Sequence, residues 1–258
     1  MTTLSIPSAE IGVFLAILLR VGLVLFMIPV FSSSEVPRTV KVFISIALTA
    51  LLHLLLRRTV PPLPFQTAAI LKIALGEIAF AAIIALSFLV IFASFQFAGE
   101  LISFQMGFGF VQVVDPQSGN QITVLSRWFQ LLAILLFFSM DAHHLVLKAL
   151  VESFSIVPLG GFVLTTDTLG KFILLSGQIF IIGMKMAAPV MIILFLTHIA
   201  FGLVARFSPE INILIVSFPL TILLGLFALC IFIPVCGSAV QRFIAMLFRF
   251  LYTLMEGT

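Results

Sequence analysis

Asp141, His143 and His144 are the one cluster in this 258-residue sequence whose residue types invite a metal ion. Asp141 and His144 stand at i and i+3 and share a helix face, and imidazole with carboxylate is a common ligand pairing. No third ligand is visible at a spacing that would complete the set, and HExxH is absent. The expectation is therefore polar residues at an interfacial helix end, with no metal and no cofactor. Nucleophilic chemistry is no better supplied. There is no GxSxG, no paired-Asp motif and no P-loop, and no motif sets a base beside a serine. Cys230 and Cys236 flank Pro234 at a spacing that fits neither CxxC nor a metal site, so buried free thiols are expected. No catalytic residue is assigned, and no enzyme is expected.

The remaining chemistry is charge in an apolar setting. The sequence is 62% hydrophobic and 9% charged, against about 25% charged in a soluble domain. Its mean hydropathy is +1.32. A net charge of +3 from so few charged side chains reports loop bias and gives no footing for nucleic acid. Arg20, Lys72, Glu77, Glu100, Arg127, Asp141, Lys185 and Arg206 lie within or at the edges of apolar runs. A charge at a helix centre in a bilayer costs at least about 2.5–3.5 kcal/mol, so each needs a partner, water or a route to the interface. Lys72 and Glu77 are five apart and pair poorly on one helix, which points to partners on other helices or other chains.

These side chains must be positioned by helices, because a chain this apolar has to satisfy its backbone internally. Runs of spanning character are read at residues 11–31, 40–56, 68–98, 124–140, 172–204 and 211–235, with shorter pieces at 145–154 and 241–255. The first run has no basic leader and no small-residue cleavage site, so it is expected to be a retained helix. Pro61, Pro62 and Pro64 make a rigid turn, Thr165 to Asp167 cap a helix beginning near Leu169, and Pro189 is expected to bend the run containing it. Gly183 and Ala187 form a small-xxx-small pair that allows close helix approach. Basic residues follow almost every run, so no simple up-and-down bundle satisfies the positive-inside rule. Either some runs are hairpins that leave on the side they came from, or some pack on other subunits and never meet lipid.

The segment 99–127 interrupts this pattern. Gly107 and Gly109 lower helix propensity, and Asp115-Pro116 followed by Ser118-Gly119-Asn120 is turn chemistry. Non-helical backbone at membrane depth survives only when buried in protein or lining a watery cavity. An apolar Met/Phe/Gly loop there suggests a pore constriction, a re-entrant element or a binding site.

The string GELISFQMGFGFVQVVDPQSG resembles the signature of the FliR family, the R subunit of the flagellar type III export gate and a relative of the injectisome R/T subunit. Asp141-Ala142-His143-His144, then Glu152-Ser153-Phe154 with Pro158-Leu159-Gly160, resemble the family's next stretch. Ala187-Ala188-Pro189, the stretch Gly202 to Arg206, Pro209, Asn212 and Phe218-Pro219-Leu220 are similar to its C-terminal half.

The resemblance covers essentially the whole chain. It implies an all-α integral membrane protein of helical hairpins with a broken, loop-forming central element. Residues 1–170 would be a P-like half, and residues 171–258 a Q-like hairpin with a C-terminal amphipathic helix. It implies a non-enzymatic subunit of the protein-export channel in the bacterial inner membrane at the flagellar basal body. FliP-like and FliQ-like subunits, an FlhB-like switch subunit, exported unfolded polypeptides and membrane lipid would be its partners, and nucleic acid would not. The loop after the QMG motif would plug the closed pore. Here it comprises Met106, Gly107, Phe108, Gly109, Phe110, Val111, Gln112, Val113, Val114, Asp115 and Pro116, reaching to about Ser118. Inter-subunit charge pairs are implied too, with Glu100, Arg127, Lys185 and Arg206 as candidates. The competing reading is a small-solute transporter with a midplane site at the broken helix.

Overall fold

Apolar runs without interior turn chemistry become helices, and the computed structural model has seven among its described residues. Those residues are 8–28, 31, 36–56, 67–108, 123–208, 210 and 212–256. The helices are α1 (Ser8–Met27), α2 (Arg38–Leu56), α3 (Thr67–Gln105), α4 (Val124–Ser139), α5 (Ala142–Ile156), α6 (Thr166–Phe207) and α7 (Ile213–Glu256). No strand occurs among the described residues. Five helices are long and apolar enough to cross a membrane, or six if the broken pair α4 and α5 is one span. The 39 residues of α3, 42 of α6 and 44 of α7 amount to about 60 Å of helix measured along the chain, roughly twice a hydrocarbon core.

Several boundaries differ from the sequence reading. Helix α3 continues to Gln105, so residues 99–105 are helical and the break begins at Met106. Gly99 is not a breaker: a Cβ there would lie 2.7 Å from the Ser126 Cα, so it marks a close crossing of α3 and α4. Gly183 does the same between α6 and α3, where a Cβ would meet the Ser94 carbonyl at 2.9 Å. Residues 213–256 form one helix where two runs are expected. His143 and His144 open α5 rather than closing α4. Helix α6 begins at Thr166, with the Thr165 hydroxyl accepting from the Thr168 N–H at 3.2 Å. Thr165→Ala should therefore cost about 1 kcal/mol, visible as a small drop in thermal stability; no drop would mean the cap carries no load.

The chain divides into two compact units. One comprises Met1–Leu89, Asp141–Ser176 and Ala245–Thr258. Its apolar core is built from Ile17, Val21 and Val24 of α1, Phe80, Ile84 and Phe88 of α3, and Leu247 and Leu251 of α7. At its centre lies a fully buried ion pair. Arg20 donates to both carboxylate oxygens of Glu77, at 2.5 and 2.8 Å. Its Nη1 also donates to the carbonyls of Ser153 and Val157, each at 3.1 Å. Phe80 and Phe154 cover the guanidinium at 4.6 and 4.5 Å. Glu77 also accepts from the Gly160 N–H at 2.8 Å. Gly160 turns at φ +71 hard against Ile73, where no side chain would fit. The partner sought for Glu77 is thus on another helix of the same chain, while Lys72 is exposed. In the same unit Tyr252 donates to Glu152, and that hydrogen bond is the main cause raising the Tyr252 hydroxyl above its ordinary pKa.

The other unit comprises Val90–Met140 and Gly177–Ile244. Its core gathers Phe92, Phe95 and Ile102 of α3, Phe129 and Phe137 of α4, Ala187 and Leu194 of α6, and Ala228 of α7.

Candidate functional site: the anchored helix break

The broken element leaves α3 through a complete glycine cap. The Gly107 N–H donates to the Phe104 carbonyl at 3.1 Å, and the Phe108 N–H to the Ser103 carbonyl at 3.0 Å. This is the Schellman pattern, which needs a left-handed residue just past the helix end; Gly107 supplies it at φ +90. The carbonyls that the helix end leaves over are taken by the second unit's other long helices. His198 of α6 meets the Gln105 carbonyl at 3.1 Å, and the Thr221 hydroxyl of α7 is shared between the Phe218 carbonyl of its own helix at 3.0 Å and the Met106 carbonyl at 3.4 Å.

Side chains lock the same turn. Met106 is fully buried and lies against Gly225, where a Cβ would come within 2.7 Å of its sulfur. The Phe218 ring covers Gly107 so closely that a Cβ there would stand 2.4 Å from it. A cavity of about 340 Å³ opens beside the turn, lined by Gln105, His198, Ser217, Phe218 and Thr221 among others.

Downstream, Thr123 caps α4 by accepting from the Ser126 N–H at 3.2 Å. Phe108 and Val124 share a second, almost wholly apolar cavity of about 320 Å³ with Trp128, Leu226, Leu229 and Cys230. The Cys230 thiol is exposed, contrary to the expected burial, although its neighbours Ala228 and Leu229 are buried.

Of the expected plug, Met106, Gly107 and Phe108 are thus placed at the end of α3. Gly109, Phe110, Val111, Gln112, Val113, Val114, Asp115 and Pro116 lie outside the described residues. Glu100, Lys185 and Arg206 are exposed and have no ion-pair partner among the described residues; Arg127 is exposed and donates to Gln130 at 3.1 Å. The clamp residues His198, Phe218 and Thr221 carry no signal of this role in the sequence. A helix that must end inside an apolar chain needs outside donors for its last carbonyls, and that requirement is the one hint that could have led to them.

The family described as bacterial export proteins, family 1, matches residues 11–247. The chain is 29% identical to the flagellar biosynthetic protein FliR of Escherichia coli over 240 residues, which is 93% of this chain and 91% of that protein. It is 30% identical to FliR of Bacillus subtilis over 242 residues, 89% of each. Against FliR of Pectobacterium carotovorum it is 28% identical over 232 residues, 88% of this chain and 86% of the relative.

Proposed function

Because the chain belongs to family 1 of the bacterial export proteins and is a relative of the FliR flagellar proteins, we propose that it is a non-enzymatic subunit of the flagellar type III export channel. It sits in the inner membrane at the basal body, assembled with FliP-like and FliQ-like subunits and an FlhB-like switch subunit. Residues 106–116 close the pore to ions while leaving a path for unfolded polypeptide once displaced. The observation that carries this reading is the break itself. A helix long and apolar enough to cross a membrane ends in a built cap, and three residues of two other helices hold that end fixed. A fixed post is what a movable apolar plug requires, because hydrophobic constrictions gate by dewetting.

The division near residue 170 into P-like and Q-like parts belongs to the same reading. It is supported by α6 and α7 following one another through the short connection 208–212. So is the assignment of Glu100, Arg127, Lys185 and Arg206 to inter-subunit pairs, since all four are exposed on helices otherwise rich in exposed Leu, Ile and Phe. Obligate interfaces are large and apolar.

Removing residues 110–114 tests the plug. The assembled complex should keep its composition but conduct ions in planar bilayers where the parent is closed, with export at least partly retained. An assembled variant as tightly closed as the parent sinks the plug assignment. The chain produced without P and Q partners should aggregate or be degraded. A monodisperse chain that alone binds a solute in the cavity beside Gln105 and His198 would instead favour the transporter reading.

A further inference from the structure

We propose that Asp141, His143 and His144 bind one divalent transition-metal ion of the zinc, cobalt or nickel kind at the head of α5. The ligand-capable atoms of the three residues all lie within 4.8 Å of one another. The His144 Nδ1 is 3.5 Å from an Asp141 carboxylate oxygen. The two imidazoles lie 4.1 Å apart between centroids, inclined by 37°. Successive residues of a helix point about 100° apart, and here both rings nonetheless lie on one side of the helix head, beside Asp141.

A second observation concerns Asp141 itself. It occupies the cap position before α5, where an aspartate ordinarily accepts from the backbone N–H groups of the first turn. Here its side chain makes no such bond. It is also the only non-glycine residue with positive φ among the described residues, at +53. That backbone directs the carboxylate to His144 instead of the helix end. An exposed His–Asp contact is worth little by itself. Lys148, one turn along, is drawn to Glu152 at 3.8 Å and not to the cluster.

Two imidazole nitrogens with one carboxylate oxygen suit borderline metals rather than magnesium or calcium. Metal–nitrogen bonds of about 2.0–2.1 Å in a tetrahedral site set ligand atoms about 3.3 Å apart, so the widest pair must close somewhat. Asp141 and His144 side chains are 76% and 69% exposed, and can rotate to do so. With three protein ligands the remaining position goes to water, which makes the site open and exchangeable.

The test uses the full chain, with whatever subunits co-purify, carrying an affinity tag free of histidine. Zinc is titrated against a chromogenic chelator, and cobalt binding is followed by its visible absorption. One ion per chain in the micromolar range is expected, with His143→Ala, His144→Ala and Asp141→Asn each weaker by at least about tenfold. Asp141→Gly separates ligand from fold, since glycine accepts the backbone conformation without strain. It should lose affinity while keeping or raising thermal stability. The proposal is overturned if the parent binds no more tightly than the His143→Ala/His144→Ala double variant, or if Asp141→Gly binds as well as the parent.

Discussion

Glu77→Ala is expected to destabilise the protein by about 3–5 kcal/mol, because it leaves the Arg20 charge buried with no counter-charge. Both side chains have zero exposure, so water cannot replace the lost carboxylate without opening the core. The readout is the monodisperse fraction of detergent-extracted complex after a temperature ramp. Glu77→Gln should be milder, since an amide oxygen can still accept from the guanidinium and from the Gly160 N–H. Arg20→Lys should be severe despite keeping the charge. A lysine cannot span two carboxylate oxygens and two carbonyls with a planar fork. Removing both partners, as in Arg20→Met with Glu77→Leu, should recover only part of the loss. The Ser153 and Val157 carbonyls and the Gly160 N–H would remain buried without their partners, at about 1–3 kcal/mol each. A Glu77→Ala protein as heat-stable as its parent would show that the knot holds nothing.

Gly107→Val should be the most damaging single change at the helix break. A β-branched residue at φ +90 is strained by about 1–3 kcal/mol, and the Phe218 ring already fills the space its Cβ needs. The clash and the strain can be separated. Gly107→Ala combined with Phe218→Ala removes the clash but not the strain, so it should be more stable than Gly107→Ala alone yet less stable than Phe218→Ala alone. Limited proteolysis of the assembled complex, read for cleavage next to Phe108, reports whether the anchor has loosened. If Gly107→Ala proves neutral in both stability and cleavage, the cap is dispensable.

The class of fold was legible because apolar runs of this length have few alternatives, and the start of the break because Gly107 advertises it. What stayed hidden was mostly long-range. Gly99 and Gly107 look alike in a sequence, yet one lets two helices touch and the other lets a chain turn. Only the Ser126 backbone beside the first and the Phe218 ring over the second tell them apart. Arg20 and Glu77 were visible as charges in need of partners, but nothing local joins residues 57 positions apart. His198 and Thr221 act through carbonyls of another helix, a contact with no periodicity to betray it. The continuity of α7 past Pro234 and Gly237 also runs against a local preference of about 1–3 kcal/mol. At Asp141 the spacing rule set His144 beside it; that the adjacent His143 brings its ring to 4.1 Å from that of His144 could not be read from spacing.

The buried arginine also sets an order of events during synthesis. Arg20 leaves the ribosome 57 residues ahead of Glu77 and 137 ahead of Val157. At roughly 5–20 residues per second, its carboxylate arrives about 3–11 s late, and the carbonyl of Val157 about 7–27 s late. Throughout that interval α1 is a nascent segment with an unmatched cation near its middle, disfavoured in the bilayer by about 2.5–3.5 kcal/mol. It must linger at the interface, lean on the insertion machinery or enter only when α3 follows. A helix made early is thus among the last to settle, and a ribosomal pause placed between the two codons would lengthen its exposure without altering a single residue of the finished protein.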